Sequence, residues 1–180
     1  HFATASDTES IVHAYEQYGV DCVSHLRGMF AFGIWDERTK TLFLARDRVG
    51  KKPLFFTQTD REFLFASELQ ALVTHPSVRR DIDPTAIDDY LTYGYIPAPK
   101  TIYRNVYKLP PAHYLTLQVQ SRSSQFERPA RFANTSKPTI RMDRYWRLTY
   151  TPKQDLCEQE AAEGLLDVLT EAVRLRMIAD

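Results

Sequence analysis

The 180-residue sequence predicts an α+β fold in which an antiparallel sheet is covered on both faces. Three observations predict it. Apolar residues recur at helical spacing near the start, then occur consecutively over residues 28–35, and short apolar runs separated by polar turns follow. A covered strand reads this way because neither of its faces meets water. The hydrophobic content of 43% and aromatic content of 12% suffice to bury a core and exclude a disordered tail.

Each element follows from local chemistry. Ser6-Asp7-Thr8-Glu9 has the form of a capping box, and Ile11, Val12, Ala14, Tyr15 and Tyr18 continue it as a helix over 7–18 that stops at Gly19. Val20, Cys22, Val23 and Leu26 share one face of a second short helix, which puts Cys22 in the core. Four strands come next, over 29–35, 41–46, 53–57 and 62–66, and a helical stretch covers 67–74. Asp83 and Pro84 suit an N-cap and a first turn, so a helix of about ten residues begins there. Residues 93–101 form a loop punctuated by Gly and Pro, and 114–119 alternate as a strand. Nothing periodic appears over 120–144, where six basic residues outnumber the acids, and this stretch reads as an insertion or linker. The amphipathic helix over 158–177 carries Ala162, Leu165, Leu166, Leu169, Ala172 and Val173 on one face.

Several functions are excluded at this level. Twenty-three Lys plus Arg balance twenty-three Asp plus Glu, so no global field attracts nucleic acid or an anionic membrane. No apolar run approaches the roughly 20 residues of a membrane helix. Cys22 and Cys157 form no C-x-x-C, and five scattered histidines give no metal spacing. The segment 45–54 places Arg46, Arg48, Lys51 and Lys52 around Asp47 and Gly50. A phosphate loop would need glycine at Ala45 and Ser or Thr at Lys52, so this segment reads as a polar turn with Gly50 at positive φ and Pro53 opening a strand.

The order of motifs resembles a known family. Ser6-Asp7-Thr8-Glu9 is followed by Leu26-Arg27-Gly28-Met29-Phe30-Ala31-Phe32 and by Arg46-Asp47-Arg48-x-Gly50-Lys51-Lys52-Pro53-Leu54. Phe65-Ala66-Ser67-Glu68-Leu69, Tyr93-Gly94-Tyr95-Ile96-Pro97-Ala98-Pro99 and Lys108-Leu109-Pro110-Pro111 complete the set. Together they resemble the second half of the glutaminase domain of glutamine-hydrolysing asparagine synthetases. The resemblance implies half of an αββα sandwich of the N-terminal-nucleophile type over 1–118, a linker over 119–155 and the first helix of an α/β synthetase domain over 156–180.

It also implies the chemistry. In that family an N-terminal cysteine attacks the carboxamide of glutamine, its free amine serving as base, and ammonia travels to a site where ATP and Mg²⁺ activate aspartate as an adenylate. Glutamine, aspartate and ATP are the implied partners, a homodimer is a further expectation, and the implied location is the cytoplasm. Of the glutamine-binding residues, only the aspartate of S-D-x-E falls within these residues, on Asp7, whose implied role is to pair with the α-ammonium. Position one is His1, which cannot form the thioester. The upstream arginine, the Asn-Gly-Glu segment and the pyrophosphate loop are not in this sequence. The chain therefore reads as an internal fragment, inactive alone, with no cofactor of its own. Two alternatives stand beside this reading: an amidotransferase that aminates a different carboxylate, and a degenerate module without catalysis.

Overall fold

A computed structural model describes residues 3–4, 6–119 and 139–177. By its internal contacts the chain divides into two units, His1–Arg147 and Leu148–Asp180. The first unit holds helices α1 (Asp7–Tyr18), α2 (Cys22–His25), α3 (Leu69–Val73) and α4 (Pro84–Tyr93). Its strands are β1 (Ala31–Asp36), β2 (Thr41–Arg46), β3 (Phe55–Gln58), β4 (Phe63–Ala66), β5 (Val106–Lys108), β6 (His113–Gln118) and β7 (Thr139–Arg144). The second unit holds α5 (Glu158–Arg176).

The first four strands do not make one sheet. Every pairing is antiparallel, but β1 and β2 belong to a sheet of order β1-β2-β6-β7, whereas β3 and β4 belong to a second sheet of order β4-β3-β5. The two sheets face each other. Leu44 of β2 and Leu115 and Leu117 of β6 pack with Leu54, Phe56 and Leu109 from the side of the second sheet. Alternation along β2 sends Phe43 and Ala45 to the opposite face, where they meet Cys22, Val23, Ala14 and Tyr15 of the first two helices. On the outer face of the second sheet, Leu72 and Val73 of α3 pack on Phe55, Leu64 and Val106. The layers therefore run helix, sheet, sheet, helix, and β2 is apolar at consecutive positions because both its faces are buried.

Edge strands behave differently. Leu44 is 0% exposed, but Phe30 and Phe32 are only half-buried, because among the described residues β1 pairs on one side alone. Gly33 allows the sheets to close at this edge, since a Cβ there would lie 2.9 Å from both Leu44 Cδ2 and Phe65 Cε2. Two strands were not legible as such. Strand β5 has three residues, too few to show alternation, and β7 occupies 139–144 at the end of the stretch read as linker. That strand pairs with β6 over its whole length, from Gln118↔Thr139 to His113↔Arg144. The remainder of the linker reading, 120–138, lies outside the described residues, as does His1.

Capping follows the sequence closely. Asp83 accepts the Thr85 N–H at 3.0 Å ahead of α4, Pro84 occupies its first turn, and Gly94 closes it in the left-handed region at φ 76°. At α1 the capping box is half formed. The Ser6 hydroxyl accepts the Thr8 N–H, but Glu9 reaches past Ser6 to accept the N–H groups of Ala3 and Thr4, both at 2.6 Å, and the Thr4 hydroxyl. Glu9 thereby ties the segment before α1 down onto the first turn. In the second unit, Cys157 and Glu160 form the complete box, and α5 has no buried residue. No helix among the described residues is long and apolar enough to cross a membrane.

Two expected outcomes test this packing. Leu44→Ala should destabilise the chain by about 2–5 kcal/mol in denaturant titration, whereas Leu91→Ala, at a side chain 76% exposed, should stay within about 0.5 kcal/mol. An equal cost at both positions would contradict the two-sheet core. The amide donors hold the Glu9 carboxyl at about 2, below its ordinary value of 4.5. A depressed carboxyl stabilises the folded chain above pH 4.5, and that contribution is lost as the pH falls through about 2. Glu9→Gln should therefore lower stability at pH 6, and the difference from the parent chain should fade between pH 4.5 and 2. A difference independent of pH would place the effect elsewhere.

Candidate functional site

A hollow of about 500 Å³ opens beside the unpaired edge of β1. Its walls come from three directions. Helix α1 supplies Asp7, Thr8, Ile11 and Val12, the strand and its approach supply 29–34, and Lys52, Pro53 and Ser67 close the far side. Asp7 and Lys52 are the only charged residues among those that line it.

Asp7 is the first residue of α1 and is exposed at the hollow. Among the described residues, the Thr8 hydroxyl donates to its carboxylate at 3.4 Å. A carboxylate at a helix start gains from the dipole whether or not a ligand is present, so position alone does not give it a function. Its place beside Ile11 and Val12 at the hollow is more telling, since an exposed carboxylate there has lone pairs to offer a cation or an ammonium group.

The far wall is built by the turn between β2 and β3. Asp47 is 0% exposed, and its carboxylate accepts three amide N–H groups: Val49 at 3.2 Å, Lys51 at 2.9 Å and Lys52 at 2.9 Å. Its own amide donates to the Phe30 carbonyl, and its carbonyl accepts from Gly50 and Ala112. Arg46 fills the other side of the turn, donating to the carbonyls of Gly50, Lys52 and Leu109 at 2.6–2.8 Å. Gly50 lies at φ 68°, and a Cβ there would lie 2.8 Å from Pro111 Cγ, so both backbone shape and space require glycine. The positive φ expected of Gly50 is therefore present. What composition could not show is that the turn closes around its own aspartate.

That closure answers the phosphate-loop question in structural terms. The amide donors that a phosphate would need are already held by Asp47. This turn therefore offers no free amide cradle to a phosphate. Among the described residues no group of three His, Cys, Asp or Glu side chains is placed to hold a metal ion.

The Cys22 thiol does not suit nucleophilic attack. Burial pushes the Cys22 thiol up to about 11, and the side chain is 0% exposed in the core beside β2. Cys157 is exposed and caps α5 in the second unit. Tyr145 is tied into the turn, its hydroxyl donating to the Arg46 carbonyl at 2.8 Å, and burial raises it to about 12, so it stays a donor.

Known proteins are similar to this chain in sequence. The pattern of the family described as "Glutamine amidotransferase domain" matches residues 1–128. Asparagine synthetase [glutamine-hydrolyzing] 3 of Bacillus subtilis (strain 168) is 33% identical over 180 residues, covering 99% of this chain and 26% of the relative. Putative asparagine synthetase [glutamine-hydrolyzing] 2 of Methanocaldococcus jannaschii is 32% identical, covering 98% of this chain and 32% of the relative. Amidase chry2 of Gibberella zeae is 33% identical over 99% of this chain and 24% of its own length. The chain thus spans about a quarter to a third of these curated relatives. With the family pattern running from the start of α1 through both sheets as far as β6, the chain belongs to the glutamine amidotransferase domain family.

Proposed function

We propose that these residues are the second half of the glutaminase module of a glutamine-dependent asparagine synthetase. The observation that carries the reading is the hollow beside β1, in which the aspartate of the S-D-x-E motif stands next to the apolar Ile11 and Val12. Glutamine suits such a site, because its aliphatic stem can lie against Ile11, Val12 and Phe32 while Asp7 accepts the α-ammonium. The helix, sheet, sheet, helix layering supports an N-terminal-nucleophile sandwich, and the open edge of β1 is where the strands of a first half would pair. We read α5 as the first helix of the synthetase domain, its exposed Leu165, Leu169 and Val173 supplying an apolar face for that domain.

The reaction proposed for the parent enzyme splits glutamine and water into glutamate and ammonia. The nucleophile and oxyanion donors come from outside these residues. The described residues bind the amino-acid end of the substrate and hold its carboxamide in register with them. ATP and Mg²⁺ supply the activation of aspartate elsewhere in the polypeptide, and location in the cytoplasm and assembly as a homodimer belong to the same proposal. The match to a fungal amidase favours one second reading, in which the ammonia reaches a different acceptor. Formation of asparagine from aspartate, glutamine and ATP by the complete polypeptide separates the two.

Two results are expected. In the complete enzyme, Asp7→Ala should raise KM for glutamine by about tenfold or more and leave ammonia-dependent asparagine formation near the parent rate, because the lost partner acts only on glutamine. Equal losses with both nitrogen sources would assign Asp7 a folding role. The 180-residue chain alone should release neither glutamate from glutamine nor pyrophosphate from ATP with aspartate, since Cys22 is buried and neither cysteine carries the free amine that serves as base in the proposed reaction, and the turn of 45–54 offers no free amides to a phosphate. Turnover in either assay, with contaminating enzyme excluded, would require another active site.

A further inference from the structure

Helix α4 turns its large apolar side chains outward. Among the described residues Ala86 is its one buried residue, whereas Tyr90, Leu91 and Tyr93 on the helix and Tyr95 just past it are 56–76% exposed. Ile87, Tyr90, Leu91 and Tyr93 stand three or four apart, so they share one stripe, and the Tyr93 and Tyr95 rings lie 6.5 Å from each other where it ends. Three tyrosines that each show more than half of roughly 150–250 Å² make, with Ile87 and Leu91, a patch on the order of the few hundred Å² that mark an interaction surface.

The patch is held stiff from behind. Asp83 caps the start of α4 and Gly94 ends it in the left-handed region. Lys100 Nζ meets Asp89 Oδ2 at 2.7 Å, the Lys108 ammonium donates to the Ile96 carbonyl, and the Lys108 amide donates to the Pro99 carbonyl at 2.8 Å. A surface already fixed in shape loses little entropy on docking, and tyrosine offers wide contact for few rotors. Charge argues against a second copy as the occupant. The helix carries Asp88 and Asp89 behind the Asp83 cap and no Lys or Arg, so a two-fold pairing of α4 with α4 sets acid against acid. An occupant within the same polypeptide is available by length, because this chain covers 26% and 32% of two relatives that match nearly all of it, and most of each relative lies outside the match.

We propose that the outward face of α4, continued by Tyr95, is a docking surface for the part of the polypeptide that follows residue 180. This rests on reading the chain as one portion of a longer synthetase, and it assigns to named residues the surface on which that portion is held. The surface it meets is apolar at its centre and carries a Lys or Arg opposite Asp88.

Tyrosine nitration by tetranitromethane, read residue by residue by mass spectrometry on the complete polypeptide, tests this. At a concentration where sedimentation shows a monomer, Tyr90, Tyr93 and Tyr95 should react about tenfold more slowly or less in the native polypeptide than in the same polypeptide unfolded in guanidinium. Leu91→Asp, a change at an exposed side chain, should bring Tyr93 and Tyr95 back to within about twofold of the unfolded rate. In the 180-residue chain the three tyrosines should react near the unfolded rate with or without the substitution. Native reactivity close to the unfolded rate, or protection that Leu91→Asp does not relieve, would overturn the proposal. Protection that appears only when the polypeptide dimerises would also overturn it and give the face to a second copy. Asparagine formation from aspartate, glutamine and ATP is measured on the same preparation. Protection without asparagine formation upholds the docking and removes the synthetase reading, and asparagine formation without protection does the reverse.

Discussion

The Asp47 carboxylate lies wholly inside the protein, and the amides of Val49, Lys51 and Lys52 converge on it. A carboxylate taken out of water is costly unless its lone pairs are met, and three amide donors meet them. The exchange works in both directions, since those donors would otherwise lack partners in a turn that forms no ladder. Arg46 repeats the logic with opposite sign, its guanidinium satisfying three carbonyls, one of them Leu109 from the approach to β6. Ala112 and Tyr145 bind the same two residues from beyond. Connections separated by up to 99 residues in sequence therefore meet on one dipeptide.

From this junction the two sheets take their relation. Arg46 ends β2 in the first sheet, and Leu54 and Phe55 open the second within a few residues, so the turn sets how one sheet crosses to the other. The Leu109 amide returns to the Leu54 carbonyl at 2.8 Å and ties the far side of the crossing. Between them the apolar side chains of β2, β3 and β6 close a core in which Leu44, Leu109 and Leu115 are fully buried. The hollow exists because this packing stops at β1. Its floor is an edge strand, and α1 and the Asp47 turn stand on either side of it.

The sequence made the helices legible because their signals are local. Ser6, Asp83, Pro84 and Gly94 sit where capping chemistry puts them, and the buried Cys22 follows from a stripe only seven residues long. The split into two sheets was not legible, because alternation reports which faces are buried and not which strand lies alongside. Strand β7 was hidden for a related reason. Thr139, Arg141 and Asp143 alternate with Ile140 and Met142 on an edge strand, too polar to stand out from the basic residues before it. In the sequence Asp47 is one charge among five, with Arg46, Arg48, Lys51 and Lys52 around it. An aspartate followed three residues later by glycine in a two-strand connection is the signal that could have marked it, since such side chains bind their own turn. Asp7 could be assigned a role only through family resemblance.

A structure of the complete polypeptide with glutamine bound tests the central claim most directly. The account predicts the substrate in the hollow beside β1, its α-ammonium within hydrogen-bond distance of an Asp7 carboxylate oxygen and its aliphatic stem along Ile11, Val12 and Phe32. Glutamine bound at a site that includes none of these side chains, or seated with its ammonium turned away from Asp7, would contradict it.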